Sequence, residues 1–106
     1  MDERDFLSLA DAELARLEQR LETCGVDMDI ETKPGGIIEL VFEDDSKIII
    51  NRHAAAREIW VAAKSGGFHF KPADGRWVSA RDGLELYALL ERCLGEQSGT
   101  PIDLCG

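Results

Sequence analysis

The chain has 106 residues, 44% of them hydrophobic, which suffices for one buried core and a single domain. Its 21 Asp+Glu against 12 Lys+Arg give a formal charge of −9, which repels phosphate backbones and anionic lipid and argues against nucleic acid or membrane as a partner. No run approaches the roughly 20 apolar residues of a membrane helix, and the start MDERDF carries neither a basic leader nor an apolar signal segment, so a cytoplasmic protein is expected.

Along the chain, Phe6, Ala10, Leu14, Leu17 and Leu21 recur at the three-and-four spacing of one helix face, predicting a first helix over 5–23 that Gly25 stops. From Val26 the period changes to two. Val26, Met28 and Ile30 alternate with Asp27, Asp29 and Glu31, a strand with one buried and one wet face. Pro34-Gly35-Gly36 turns the chain into two β-branched runs, 37–42 and 47–52, separated by Glu43-Asp44-Asp45-Ser46 as a hairpin. Further strands follow at 58–64, 68–71 and 76–80, with turns at Ser65-Gly66-Gly67 and Pro72-Ala73-Asp74-Gly75. Asp82 with Glu85 three residues on reads as an acidic capping box. It precedes a second helix carrying Leu86, Tyr87, Leu90, Cys93 and Leu94, which ends near Gly95 and leaves 96–106 as a flexible tail beyond a domain of residues 1–95.

Helix, strands, helix in that order predicts an α+β two-layer sandwich, with both helices on one face of an antiparallel sheet of about six strands. Parity sends Ile38, Leu40, Phe42, Ile48, Ile50, Ile59 and Val61 toward the helices. It leaves Ile37, Glu39, Val41, Lys47, Ile49, Asn51, Trp60 and Lys64 on the open face.

Chemistry-bearing motifs are few: the sequence has no GxGxxG after a strand, no P-loop, no HExxH and no GxSxG. His53 and His69 stand in or beside strands with no partner cluster evident in the sequence, and read as structural or surface residues. Cys24, Cys93 and Cys105 are odd in number and widely spaced, which suits small hydrophobes in a reducing compartment better than disulfides or a metal motif. The acidic residues are more informative. Residues 1–31 hold ten acids and three bases, and Asp11, Glu18 and Glu22 fall along one flank of the first helix while Asp27, Asp29 and Glu31 point together from the first strand. Two readings stand at this point. The carboxylates form a ridge that takes hard cations weakly and in partly hydrated form, or they are charges that keep an edge strand from aggregating. Trp60 likewise reads either as a partner contact or as half-buried surface packing.

The segments Leu9-Ala10-Asp11, Leu17-Glu18-Gln19-Arg20-Leu21, Asp27-Met28-Asp29-Ile30-Glu31 with Gly35-Gly36, Ser46 through Arg52, and Ile59 through Phe70 together resemble bacterial frataxin, the CyaY family. The likeness runs from Phe6 to about Cys93 and is specific in the combination and order of its pieces. It implies an iron-linked, non-enzymatic role in iron–sulfur cluster assembly. In that family an acidic ridge binds ferrous or ferric iron weakly at the surface and docks on a basic face of the cysteine desulfurase, while the open sheet around the tryptophan contacts the assembly machinery, including the iron–sulfur scaffold protein. Carried over, the ridge is Glu18, Glu22, Asp27, Asp29 and Glu31, with Glu3 at the helix start, and the sheet contact is Asn51 and Trp60. Leu7 and Arg57 stand where relatives often have histidine, and Gln19 and Thr23 replace acids, so metal binding here is expected to be weaker and docking to survive better. The expected state is a monomer, with oligomerisation under iron load left open, and a first alternative is a ferroxidase that stores its product in oligomers. A metal-independent interaction domain using the Trp60 face is the remaining alternative.

Overall fold

The computed structural model describes residues 2–79 and 81–104. Helix α1 (Glu3–Glu22) is followed by β1 (Met28–Lys33), β2 (Ile37–Phe42), β3 (Lys47–His53), β4 (Glu58–Ala63), β5 (Gly66–Ala73), β6 (Arg76–Val78) and α2 (Leu86–Ser98). The strands form a single antiparallel meander in the order β1-β2-β3-β4-β5-β6, so that β1 is one edge and the short β6 the other. This is the two-layer α+β architecture expected from the element order.

Helix α1 starts where Asp2 caps it, its carboxylate accepting the Asp5 N–H at 2.8 Å, and the acids Glu3 and Asp5 in the first turn favour the positive end of the helix dipole. Its stripe Phe6, Ala10, Leu14, Leu17 and Leu21 is buried. It meets the inward row Ile38, Leu40, Phe42, Ile48, Ile50, Ile59 and Val61, all of them buried as parity required. Burying a side chain of this size contributes roughly 1.5–3 kcal/mol, so the shared core is what holds the helices on the sheet. Trp77 completes it, edge-on to Phe6 with ring centroids 5.9 Å apart. Between the helices the Tyr87 hydroxyl donates to Glu13 at 3.0 Å. Burial first, and Glu13 second, hold that phenol well above its usual range.

The second helix departs from expectation at both ends. Asp82 accepts the N–H of Leu84, two residues on, at 3.1 Å. It therefore shapes the preceding turn, and Glu85 is the N-cap without a side-chain capping bond. At the other end the helix passes through Gly95 and stops at Gly99, whose φ of 76° supplies the left-handed cap and whose N–H reaches the Gly95 carbonyl at 2.9 Å. Gly95 lies inside the helix. A Cβ there would lie 3.6 Å from the Thr100 carbonyl, an ordinary contact distance, so the returning chain passes beside the helix at this point.

The segment after α2, read from sequence as a flexible tail, packs instead. Leu104 is only 3% exposed. Its N–H donates to Glu91 at 2.8 Å and its carbonyl accepts from Arg20 at 2.7 Å, tying the tail to both helices. Residues 96–98 are helical and Ile102 is half-buried against the core, so the domain extends past residue 95. Strand β6 ends at Val78, and the expected continuation to Ala80 lies outside the described residues, as does Cys105. Cys24 is half-buried and donates to the Leu21 carbonyl at 3.1 Å. Cys93 is buried, and burial pushes its thiol up and away from the reactive thiolate.

Candidate functional site: an acidic edge and an aromatic open face

The acidic surface is built where α1 ends and β1 begins. Met28 and Ile30 lean inward while Asp27, Asp29 and Glu31 are exposed, the alternation of a strand with one face on the core. Glu22 is the last residue of α1, and Glu18, one turn earlier, is half-buried. Because β1 has a neighbour on one side only, Asp29 and Glu31 stand on an open edge strand, with Asp27 just before it. Glu3 does not join them. It lies at the far end of the helix, roughly 28 Å from Glu22 at 1.5 Å per residue.

Two residues change the ridge as read from sequence. Asp11 leaves it, since its carboxylate pairs with Arg52 of β3, and Gly36 makes that possible because a Cβ there would press to 2.7 Å of the arginine side chain. Glu43 enters it. The β1–β2 register pairs Met28 with Phe42, and one step further along places Asp27 beside Glu43 at the start of the hairpin turn. Hydrogen bonding to Asp27, reinforced by the aspartate's charge, holds the Glu43 carboxyl above the usual range, the behaviour of two acids sharing a place with too little positive charge. The two side chains line a pocket of about 350 Å³ between Gly25 and Val26 on one side and Gln97 and Ile102 on the other. Sequence reading had assigned Glu43 only to a turn; the signal that could have found it was the register, which the length of the Pro34-Gly35-Gly36 connection fixes. Among the described residues no three His, Cys, Asp or Glu side chains converge as a metal cage. What the edge can do chemically is attract cations and hold them through one or two oxygens, with water completing the shell.

The open face is organised differently. Asn51 and Trp60 are register partners on β3 and β4, and both are half-buried. Trp60 lies between the two histidines that had no evident partners in the sequence: its ring is 3.9 Å from His53 at 9° and 4.4 Å from His69 at 8°. Its indole N–H donates to Glu58 at 2.9 Å. Glu58 is further bracketed by His69 at 3.7 Å and Lys71 at 3.9 Å, and Glu39 by Lys33 at 2.8 Å and Lys47 at 3.3 Å. Hydrogen bonds from Lys33 and Lys47 lower the Glu39 carboxyl. The tryptophan is therefore a held plate in a charge-balanced face.

The described residues form a two-layer α+β domain with a carboxylate edge, an aromatic open face and no convergent ligand set among them. The frataxin-like domain family matches residues 1–100, and the chain belongs to that family, within its bacterial CyaY group. It is an accessory protein of that kind and not an enzyme. It is 47% identical over 104 residues to the iron-sulfur cluster assembly protein CyaY of Dechloromonas aromatica, covering 98% of this chain and 99% of that one. It is 49% identical over 107 residues to the CyaY of Ralstonia nicotianae, covering 98% and 95%. In three dimensions it is similar to frataxin from Psychromonas ingrahamii, with a TM-score of 0.90, 29% identity and full coverage of both chains. It is also similar to trimeric yeast frataxin complexed with ferrous iron, with a TM-score of 0.72, 27% identity and 87% of each chain covered. No helix among the described residues is long and apolar enough to cross a membrane.

Proposed function

We propose that this chain is a cytoplasmic accessory of iron–sulfur cluster assembly that docks through its β1 edge on a basic face of the cysteine desulfurase and carries iron weakly there. Glu18, Glu22, Asp27, Asp29 and Glu31 provide the charge, and Glu43 is added to them. Asn51 and Trp60 form a second contact, with the scaffold protein. The observation that carries this reading is the Asp27–Glu43 pair: an acid whose neighbour raises its proton affinity marks a surface that gains by receiving a cation, whether a metal ion or a lysine or arginine of a partner. The names of its relatives as iron-sulfur cluster assembly proteins and the ferrous complex of the yeast neighbour support the biological setting. The ferroxidase alternative asks for fixed ligands with an open position, and the described residues offer no such set.

The test is an anaerobic titration of ¹⁵N-labelled protein with ferrous iron, with magnesium as control. Line broadening at Glu22 through Glu31 and at Glu43, absent with magnesium, is the expected result. Uniform or absent broadening at millimolar iron would remove the metal from this proposal and leave only the docking. Docking is read separately, by salt-dependent binding to the desulfurase, which should fall steeply as the Debye length shrinks.

A further inference from the structure

Strand β5 has two partners, and neither spans it. β4 pairs with Gly66–Phe70, and β6 pairs only with Lys71–Ala73. The turn between β5 and β6 has Asp74 at φ 50° and Gly75 at φ 80°, a type I′ geometry that makes Ala73 and Arg76 a mutually hydrogen-bonded pair. Antiparallel alternation then makes Lys71 and Val78 the next such pair, and turns the main-chain N–H and C=O of His69 and Gly67 to the same side, past the end of β6. The described part of the following segment bonds with itself: Ser79 N–H reaches the Leu84 carbonyl and Gly83 N–H the Ser79 carbonyl, both at 2.8 Å. Between this segment and the edge of β5 runs a groove of about 540 Å³, walled by Gly67, Phe68 and His69 on the strand and by Ser79, Arg81 and Asp82 opposite, with Glu58 beside His69.

The ring column ends in the same place. His53, Trp60 and His69 stack in parallel, one ring from each of β3, β4 and β5. The side chain of His69 is 55% exposed. The next position in the column belongs to a strand lying beside β5 at a level that β6 does not reach. At Gly67 a Cβ would meet nothing within 4 Å, so the groove wall is low there.

We infer that the Gly67–His69 edge of β5 receives an extended segment of a partner protein as an added strand, with an arginine of that segment stacked on the outer face of His69 and turned toward Glu58. Strand addition supplies affinity through main-chain bonds, and side-chain pockets on alternate residues supply specificity. The choice of arginine follows from charge. The chain carries −9, Glu58 and Asp82 line the groove beside Arg81, and a guanidinium is the planar group that both stacks on a ring and forks to a carboxylate. Glu58 has room for it: one carboxylate oxygen takes the Trp60 N–H at 2.9 Å with His69 at 3.7 Å, while the neighbour of the other among the described residues is Lys71 at 3.9 Å, beyond hydrogen-bond distance. This surface is distinct from the β1 edge, and its test involves neither iron nor a desulfurase.

The probe is an acetylated, amidated peptide of alternating threonine and valine with one central arginine, added to the full ¹⁵N-labelled chain at pH 8. Shifts confined to the amides of Gly67 and His69 and the Trp60 indole N–H are expected, with affinity at least fivefold weaker for a central-glutamate peptide and for His69→Ala. The side chain of His69 is exposed enough that the variant should keep a folded spectrum. A counterpart N-methylated along one edge keeps its side chains but cannot bridge to the strand, and should not bind. No shift at Gly67 and His69 with millimolar arginine peptide would overturn the inference, and so would equal binding of the N-methylated or central-glutamate peptide. Shifts of the same amides on concentrating the protein alone would assign the edge to a second copy of the chain, and likewise overturn it.

Discussion

The two carboxylate-bearing surfaces of this domain differ in whether their charges have been answered. On the open face Glu39 has Lys33 and Lys47 within 3.3 Å, and Glu58 has an indole N–H at 2.9 Å with His69 and Lys71 near it. On the β1 edge Asp27 has another acid, Glu43, for a neighbour. The shift directions follow the same division, with Glu39 lowered by its lysines and Glu43 raised by its aspartate. A net charge of −9 is therefore not spread evenly. The fold gives Glu39 two lysines on the open face and sets Asp27 beside a second acid at the edge, where a cationic partner can supply what is missing.

The largest effect should come from removing that difference at the edge. Asp27→Asn, Asp29→Asn and Glu31→Gln combined are expected to weaken docking on the desulfurase by about 100-fold at low salt, chiefly through the association rate, with the thermal midpoint unchanged or raised. Surface plasmon resonance across a salt series reads this, and unchanged affinity would place the docking surface elsewhere. Next is the opposite face. Trp60→Ala removes two ring stacks, each worth about 0.5–1.5 kcal/mol beyond burial, so a stability loss of about 2 kcal/mol is expected in urea unfolding. Affinity for the desulfurase should stay within twofold and scaffold binding should fall. Loss of desulfurase binding in this variant would show that the two surfaces act as one.

Much of this division was legible from residue order, and the rest failed for identifiable reasons. Period-two alternation from Val26 onward assigned Asp27, Asp29 and Glu31 to the wet side, and parity identified the inward rows of β2, β3 and β4, because both depend on local geometry alone. Pairings between distant residues were not legible. Asp11 with Arg52 requires knowing where along the sheet α1 lies, and the stacking of His53 on Trp60 is diagonal, since the register partner of Trp60 is Asn51. The tail was misread because it is short, polar and follows a glycine. Its large apolar residues Ile102 and Leu104 find a place at the core only once the helices are in position, with Arg20 and Glu91 holding the Leu104 backbone.

The smallest effect sharpens the comparison by its sign. In Glu43 the folded-state carboxyl lies above its unfolded value, so the native state holds the proton more tightly. Its contribution is complete below the ordinary glutamate range and is lost as pH rises through the raised value. Glu39 runs the other way. Its lowered carboxyl contributes above the ordinary range, and that contribution fades as pH falls through the lowered value. Glu43→Gln should therefore flatten the decline in thermal midpoint on the alkaline side of the glutamate range, whereas Glu39→Gln should flatten the loss on its acid side. Both changes should be modest, because exposed charges are screened, and differential scanning fluorimetry from pH 3 to pH 7 at low salt has the resolution to separate them. If both variants flatten the same limb, the two carboxylates share one environment and the contrast between edge and face is lost. If they flatten opposite limbs, the edge carries an acid that a cation would relieve, and ferrous iron or a basic partner should bind more tightly as pH rises through the Glu43 titration, since each must displace its proton.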